Sequence, residues 1–195
     1  GPVVNDMVFD SKGGYYYTDF VGNISEQSGS VVYVTPDHKQ RIPLLGHLAS
    51  PNGLTLSTDE KTVWITESNA MRLLRITLDP HGGPTDIAPF GMRVTYNFMG
   101  GGVCDSCEID EDDNLYVAMY EQGRILVFNK FGWPIGQILL AGRERGEYLL
   151  STHCAIRPGT NELYICANDP VHGAWLFKAG SFAKSGPKSL HQYFE

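Results

Sequence analysis

Hydrophobic and polar positions along the chain follow one pattern that occurs four times. In each copy a short apolar segment is followed by a polar turn and a second apolar segment, which is the pattern of a β-hairpin. The copies are anchored on Phe9, Leu56, Ile109 and Ile156, which stand 47, 53 and 47 residues apart. A repeat of this length is typical of the blades of a β-propeller.

The segments after each hairpin predict further strands. Third-strand candidates lie at 31–35, 72–78, 124–129 and 174–179, and weaker fourth-strand candidates lie at 41–45, 86–90 and 136–140. Four strands per repeat favour a propeller over an immunoglobulin-like sandwich or a helical or leucine-rich solenoid. We therefore predict an all-β protein, a single β-propeller domain over 1–195 with repeats 5–51, 52–104, 105–151 and 152–195.

Composition and charge exclude several classes of partner. The chain has 15 basic and 22 acidic residues and a net charge of −7, so its surface would repel nucleic acid. It contains no apolar run of about 18 residues and does not start with a secretory signal, so neither a membrane nor export is expected. Four cysteines in a chain of this size do not indicate a disulfide framework, and we expect a cytoplasmic protein.

Four equivalent positions near the start of the hairpins are polar. Because residues two apart share a face of a strand, stepping back four from each anchor leads to Asn5, Asn52, Asp105 and Thr152. In a propeller these positions would ring the central channel. Amide and carboxylate oxygens suit Ca²⁺ or Mg²⁺, although strand entrances are also commonly polar without binding anything. One carboxylate would bind weakly, so a further acidic ligand is expected from another blade.

Other polar residues allow further interpretations. Asp6 and His153 adjoin the candidate channel positions. Alternation of side chains along a strand places Asp6 on the face opposite Asn5. His153 could either transfer protons or only line the channel. The 110–121 segment fits part of a calcium-binding EF-hand loop, but it lacks the required glycine and reads first as a hairpin. Cys104 and Cys107 have the spacing of half a zinc site and are expected in the core.

Several motifs resemble the gluconolactonase and regucalcin superfamily of SMP-30-like proteins. They are the Asn5–Asp6 pair, the Pro-Asn-Gly-Leu segment at 51–54 and the Cys-Asp-Ser-Cys segment at 104–107. Over nearly the whole chain, segments such as NDMVFDSKGG, NGLTLSTDEK, DSCEIDEDDNLYVAMY and GRILVFNK are similar to the drug-responsive lactonases of that superfamily. Their order and spacing are more specific than any one motif.

The resemblance implies a six-bladed propeller that hydrolyses lactones with a divalent cation, usually Ca²⁺, on its axis. It implies that Asn52 binds the metal, that Asp105 is a metal ligand and the catalytic residue, and that Asn5 and Ser106 line the site. The chain matches the last four blades, so the family's metal-binding glutamate has no counterpart and the chain looks N-terminally truncated. Two exposed blade edges would then favour self-association.

The sequence thus supports a calcium-dependent lactonase that acts on a small-molecule lactone. Asp105 is the candidate catalytic base, Asn52, Asn5 and Ser106 are further candidate metal ligands, and Asp6, Thr152 and His153 are candidates for contact with substrate or for support of the site. Val3 stands where sugar lactonases often have an arginine, which argues against an aldonolactone. The alternatives are a noncatalytic propeller that binds a partner, and a paraoxonase-like or strictosidine-synthase-like reaction.

Overall fold

The computed structural model describes residues 1–81, 83 and 91–186, and it is built from antiparallel strands. Within this part of the chain the only helical element is a single 3₁₀ turn at Arg143–Arg145, so the all-β class is confirmed. No helix of the described residues is long and apolar enough to cross a membrane. The described residues form two compact units, Gly1–Asn97 and Phe98–Gly186.

The first unit contains two four-stranded antiparallel sheets, each with its strands in sequence order. The strands of the first sheet are β1 Val4–Phe9, β2 Tyr15–Asp19, β3 Gly29–Val34 and β4 Arg41–Leu48. Those of the second are β5 Pro51–Leu56, β6 Thr62–Glu67, β7 Arg72–Thr77 and β8 Met92–Asn97. The fourth-strand candidate at 86–90 lies outside the described residues, and the strand that pairs with β7 is β8.

The second unit continues the same pattern. Its strands are β9 Val103–Ile109, β10 Leu115–Tyr120, β11 Arg124–Phe128, β12 Pro134–Leu139, β13 Leu150–Ile156, β14 Glu162–Asp169 and β15 Gly173–Gly180. A single pairing of Tyr120 with Leu150 connects β10 to β13. Three of the predicted four-stranded repeats are therefore observed, and the fourth has three strands among the described residues.

The apolar anchors predicted from the sequence lie in or beside the core. Leu56, Ile109 and Ile156 are buried, whereas Phe9 is half-buried against Tyr15. In the second unit one cluster joins strands of both repeats; it contains Tyr116, Ile125, Val127, Cys154, Leu163 and Ile165. Cys104, Cys107 and Cys154 are buried, which confirms the core interpretation for the first two, and Cys166 is exposed.

Aspartates hold the turns of the first and third hairpins. Asp110 Oδ1 accepts the backbone N–H groups of Asp112 and Asn114 at 3.0 and 2.9 Å, and its Oδ2 accepts the hydroxyl of Tyr116 at 2.8 Å. Asp10 binds its own turn and the hydroxyl of Tyr33 in the same way. The segment that resembled a calcium loop is therefore a hairpin, in which donors of the hairpin itself occupy both carboxylate oxygens of Asp110.

Tyr116→Phe is expected to destabilise the protein more than Tyr33→Phe. The hydroxyl of Tyr116 donates to Asp110 and also accepts the N–H of Phe182 at 2.7 Å, so its loss removes two hydrogen bonds, while Asp110 Oδ2 keeps the side-chain N–H of Asn114. That of Tyr33 serves Asp10 alone among the described contacts. We expect a loss of about 2 to 3 kcal/mol in the free energy of unfolding for Tyr116→Phe and about 1 kcal/mol for Tyr33→Phe. Urea denaturation of both variants measures the difference, and equal losses would contradict this account.

In three repeats an acidic residue at the end of the second strand accepts a hydrogen bond from the chain just before a first strand. We call the first strands of the four repeats, β1, β5, β9 and β13, the inner strands. Asp19 Oδ1 accepts the N–H of Val3 at 2.7 Å, and Glu67 Oε1 accepts the N–H of Ala49 at 2.7 Å. In the fourth repeat Asp169 Oδ2 accepts the N–H of Tyr148 at 2.9 Å. These three contacts hold the approach to β1, β5 and β13.

Candidate functional site

All four inner strands are interrupted at the positions that the repeat pattern selected. In β1, β5 and β9 the register breaks so that two residues face one residue of the neighbouring strand; these pairs are Asn5–Asp6, Asn52–Gly53 and Asp105–Ser106. In β13 the extra residue is Thr152, between Ser151 and His153. Such β-bulges redirect side chains and are frequent beside active sites.

The bulges change how the side chains are placed. Alternation by two residues requires an uninterrupted strand, and a bulge breaks it between Asn5 and Met7. The expectation that Asp6 lies on the opposite face from Asn5 therefore loses its basis. The bulges nevertheless fall at the same place in each repeat, with two residues facing one in β1, β5 and β9 and a single extra residue in β13.

In the first unit the structure brings the Asn5–Asp6 and Asn52–Gly53 bulges together. Thr18 connects them, since its hydroxyl accepts the N–H of Asp6 at 3.1 Å and donates to the carbonyl of Asn52 at 2.7 Å. Asn5 is exposed and Asp6 is half-buried, with Oδ1 of Asp6 accepting the N–H of Met7 at 2.8 Å.

Asn52 has the most unusual environment of the candidate residues. Its exposed fraction is 4%, and its buried Oδ1 has no hydrogen-bond partner among the described residues. A buried acceptor without a partner costs about 1 to 3 kcal/mol, and Asn52 Oδ1 is one of only a few such side-chain atoms among the described residues. An amide oxygen in this state is a ready ligand for a hard cation or a hydrogen-bond donor.

In the second unit the candidate residues lie on β9 and its neighbour β13. Asp105 is half-buried, and its Oδ1 accepts the N–H of Ser106 at 2.9 Å, which fixes the carboxylate against its own strand. Ser106 is buried, whereas Thr152 and His153 are half-buried. Each unit thus holds its own pair of bulges with polar side chains.

Sequence reasoning missed two groups at the same end of the strands. Glu67 is a fully buried carboxylate that forms an ion pair with Arg72, with 2.6 Å between Oε2 and Nη2. Asp169 Oδ1 lies 2.9 Å from Nδ1 of His172, and the backbone N–H groups of Tyr148 and His172 lower the pKa of Asp169. Both lie at the ends of second strands, as Asp19 does, whereas the spacing from the apolar anchors selected only the entrances of the inner strands.

The described residues contain no group of three or more His, Cys, Asp or Glu side chains that could hold a metal. The donor set predicted from the sequence is of another kind, because amide and hydroxyl oxygens accompany a single carboxylate. Hard oxygen donors of this type fit Ca²⁺ or Mg²⁺ rather than zinc or copper. The unpartnered Oδ1 of Asn52 agrees with that chemistry.

Comparison with known protein families gives one match over most of the chain. Residues 3–168 match the model of the SMP-30/gluconolactonase/LRE-like region. The chain is 55% identical over 183 residues to lactonase drp35 of Staphylococcus saprophyticus, covering 93% of this chain and 56% of that protein. It is 52% identical over 194 residues to lactonase drp35 of Staphylococcus aureus strain RF122, covering 98% and 58%. The chain thus spans just over half the length of these relatives.

Solved structures show the same fold at low sequence identity. A luciferin-regenerating enzyme superposes with a TM-score of 0.77 and 18% identity, covering 98% of this chain and 65% of the other. Regucalcin of Agrobacterium tumefaciens strain C58, described as a calcium-binding protein, gives a TM-score of 0.72 and 20% identity, with coverage of 94% and 64%. The predicted β-propeller fold is confirmed by these likenesses.

Proposed function

The chain belongs to the SMP-30/gluconolactonase/LRE-like family, and from this premise we propose that the protein is a calcium-dependent lactonase that hydrolyses the ester bond of lactones. The observation that carries the proposal is the identity of 52 to 55% with proteins named lactonase over almost all of this chain. At this level of identity the chemistry of a site is commonly shared, whereas a likeness of fold alone would not support it.

We further propose one site on the axis of a single propeller domain over 1–195. Its ligands would be Asn52, Asp105, Asn5 and Ser106. The equivalent bulges of the four inner strands support this assignment, as does the unpartnered buried Oδ1 of Asn52. Regucalcin, a structural neighbour, is named as a calcium-binding protein, which agrees with the same class of ion.

In the proposed reaction the protein's own residues bind the lactone and move one proton. When bound, a divalent cation supplies electrostatic stabilisation of the negative charge that develops on the carbonyl oxygen. The carboxylate of Asp105, held by the N–H of Ser106, accepts a proton from the water that attacks the carbonyl carbon, and the proton passes to the ring oxygen as the ester C–O bond breaks. Asp6, Thr152 and His153 are proposed to contact the substrate or to support these groups.

Asn52→Leu tests the metal site apart from catalysis. We expect the affinity for Ca²⁺ to fall at least tenfold, because an amide oxygen ligand is removed, whereas the free energy of unfolding in the presence of a chelator stays the same or rises. The rise follows because leucine has a similar size and removes an unpartnered buried acceptor. Isothermal titration calorimetry measures the first quantity and chelator-treated denaturation the second.

The control for Asn52→Leu is Asn97→Ala, which changes an exposed asparagine at the end of β8. It should leave Ca²⁺ affinity unchanged. Wild-type protein that binds no Ca²⁺, or an Asn52→Leu variant that binds it as well as wild type, would contradict the proposed site.

A further inference from the structure

The peptide bond between Asn52 and Gly53 is held from both sides by buried threonine hydroxyls. Thr18 Oγ1 donates to the carbonyl oxygen of Asn52 at 2.7 Å. Thr66 Oγ1 accepts the N–H of Gly53 at 2.8 Å. Both threonines have an exposed fraction of 0%, so water does not compete for these contacts. We call this arrangement the threonine clamp, defined by Thr18 and Thr66.

The clamp restricts the backbone that carries the Asn52 side chain. Rotation of the peptide plane would separate both of its polar atoms from their partners, and a buried group left without a partner is costly. Thr18 comes from the neighbouring sheet and also accepts the N–H of Asp6 at 3.1 Å, so it fixes the β5 bulge relative to the β1 bulge. Thr66 lies opposite the bulge in the same sheet.

Local hydrogen bonds do not explain the position of the Asn52 side-chain oxygen. Oδ1 is buried and has no hydrogen-bond partner among the described residues. Its place is therefore determined by packing and by the backbone beneath it, which the clamp holds. A ligand atom fixed in this way needs no rearrangement when a cation binds.

We propose that Thr18 and Thr66 are positioning residues that hold the Asn52–Gly53 peptide so that the amide oxygen of Asn52 is set to bind a divalent cation. The proposal rests on the proposed function, since it concerns the same cation site. It adds two residues that would not touch the metal and that act through the backbone of a ligand.

The other inner strands show that a bulge does not by itself require a threonine at this position. Ala118 faces the Asp105–Ser106 bulge, between the pairs that Val117 and Met119 form with β9. Cys166 pairs with His153 beside the bulge at Thr152. Neither residue has a hydroxyl, yet both strands contain the bulge. The hydroxyls at 18 and 66 therefore do more than maintain a break in register, and they coincide with the peptide of Asn52.

The test uses near-isosteric variants of the full chain, with Ca²⁺ as the probe. We expect Thr18→Val and Thr66→Val each to lower Ca²⁺ affinity about tenfold in calorimetry, the lower end of the range for residues that support metal ligands. Thr18→Ser and Thr66→Ser, which restore the hydroxyl, should come within about threefold of wild type. Thr66→Val should also speed hydrogen exchange at the Gly53 amide in the absence of metal.

Thr55→Val is the matched control. Thr55 lies on β5, the strand of Asn52, and has an exposed fraction of 0%. Its hydroxyl has no hydrogen-bond partner among the described residues. Its substitution should leave both Ca²⁺ affinity and Gly53 exchange unchanged. If a valine variant fails to fold, alanine replaces it, because Ala118 shows that the equivalent position accommodates alanine; the same tenfold loss is expected.

The outcomes separate the two proposals. Wild-type protein that binds no Ca²⁺ would overturn the cation site and the clamp together. A second outcome would overturn the clamp alone: wild type binds Ca²⁺, Asn52→Leu does not, and the Thr18 and Thr66 variants bind Ca²⁺ as tightly as wild type. Loss of affinity in the valine variants without recovery in the serine variants would also overturn it, since the hydroxyl would then not be the active feature.

Discussion

Asp105→Asn is expected to lower kcat for lactone hydrolysis by about 10²- to 10⁴-fold, the range for loss of a positioned general base. The amide keeps the shape of the side chain and an oxygen that can still accept the N–H of Ser106, so the bulge should persist. What it loses is the negative charge and the capacity to take a proton from water. Metal affinity should fall as well, because the site has few other charges.

Steady-state hydrolysis of a chromogenic lactone at saturating Ca²⁺ measures this effect in the full-length protein. Asp112→Asn serves as the control, because Asp112 is an exposed aspartate in the hairpin that follows the same strand. Activity in the Asp105→Asn variant equal to wild type would contradict the assignment. If wild-type protein binds Ca²⁺ but hydrolyses no lactone tested, the noncatalytic binding propeller becomes the better interpretation.

Glu67→Ala is expected to produce the largest loss of stability. It removes the ion pair with Arg72 and the acceptor of the Ala49 N–H, and it opens a cavity at a fully buried position. Arg72 is 31% exposed and recovers some hydration, so we expect a loss of about 2 to 4 kcal/mol, at or below the range for breaking a buried ion pair. Thermal and urea denaturation measure the change.

Two further variants identify the cause of that loss. Glu67→Gln keeps an acceptor for Ala49 and opens no cavity, so it should lose less than Glu67→Ala, although its amide NH2 group cannot accept the two hydrogen bonds that Arg72 donates to Oε2. Glu144→Ala removes an exposed ion pair with Arg145 and should leave the midpoints of thermal and urea denaturation unchanged. A Glu67→Ala variant as stable as wild type would show that the hydrogen bond from Ala49 to Glu67 is not needed for the fold.

The fold was largely predictable because the sequence repeats its hydrophobic pattern. Burial on a sheet imposes a period of two, and polar turns such as Asp110 to Asn114 mark each hairpin, so strands β1, β2 and their three equivalents follow directly. The outer strands carry a weaker signal. The residues of β8 are mostly exposed, and without a buried face the alternation that would locate the strand is lost.

The candidate site was predictable only in its positions. Spacing from Leu56 and Ile109 led to Asn52 and Asp105, because equivalent residues of a repeat occupy equivalent places. The bulges were not predictable, since an extra residue in one strand is visible only when its partner strand is known. The threonine clamp shares this property, as its two members come from different sheets.

Each bulge also acts as a change of phase within a strand. Between the bulge and the hairpin, side chains alternate between the two faces of the sheet so that anchors such as Leu56 and Ile109 lie in the core. Before the bulge, the same alternation is shifted by one residue. In β1, where the residues before the bulge are exposed, a substitution at the strand entrance is separated from the packing of the core, whereas in β5 and β9 Pro51 and Cys104 are themselves buried. The entrance of β1 is therefore a place where side chains can be varied with little effect on the interior of its repeat.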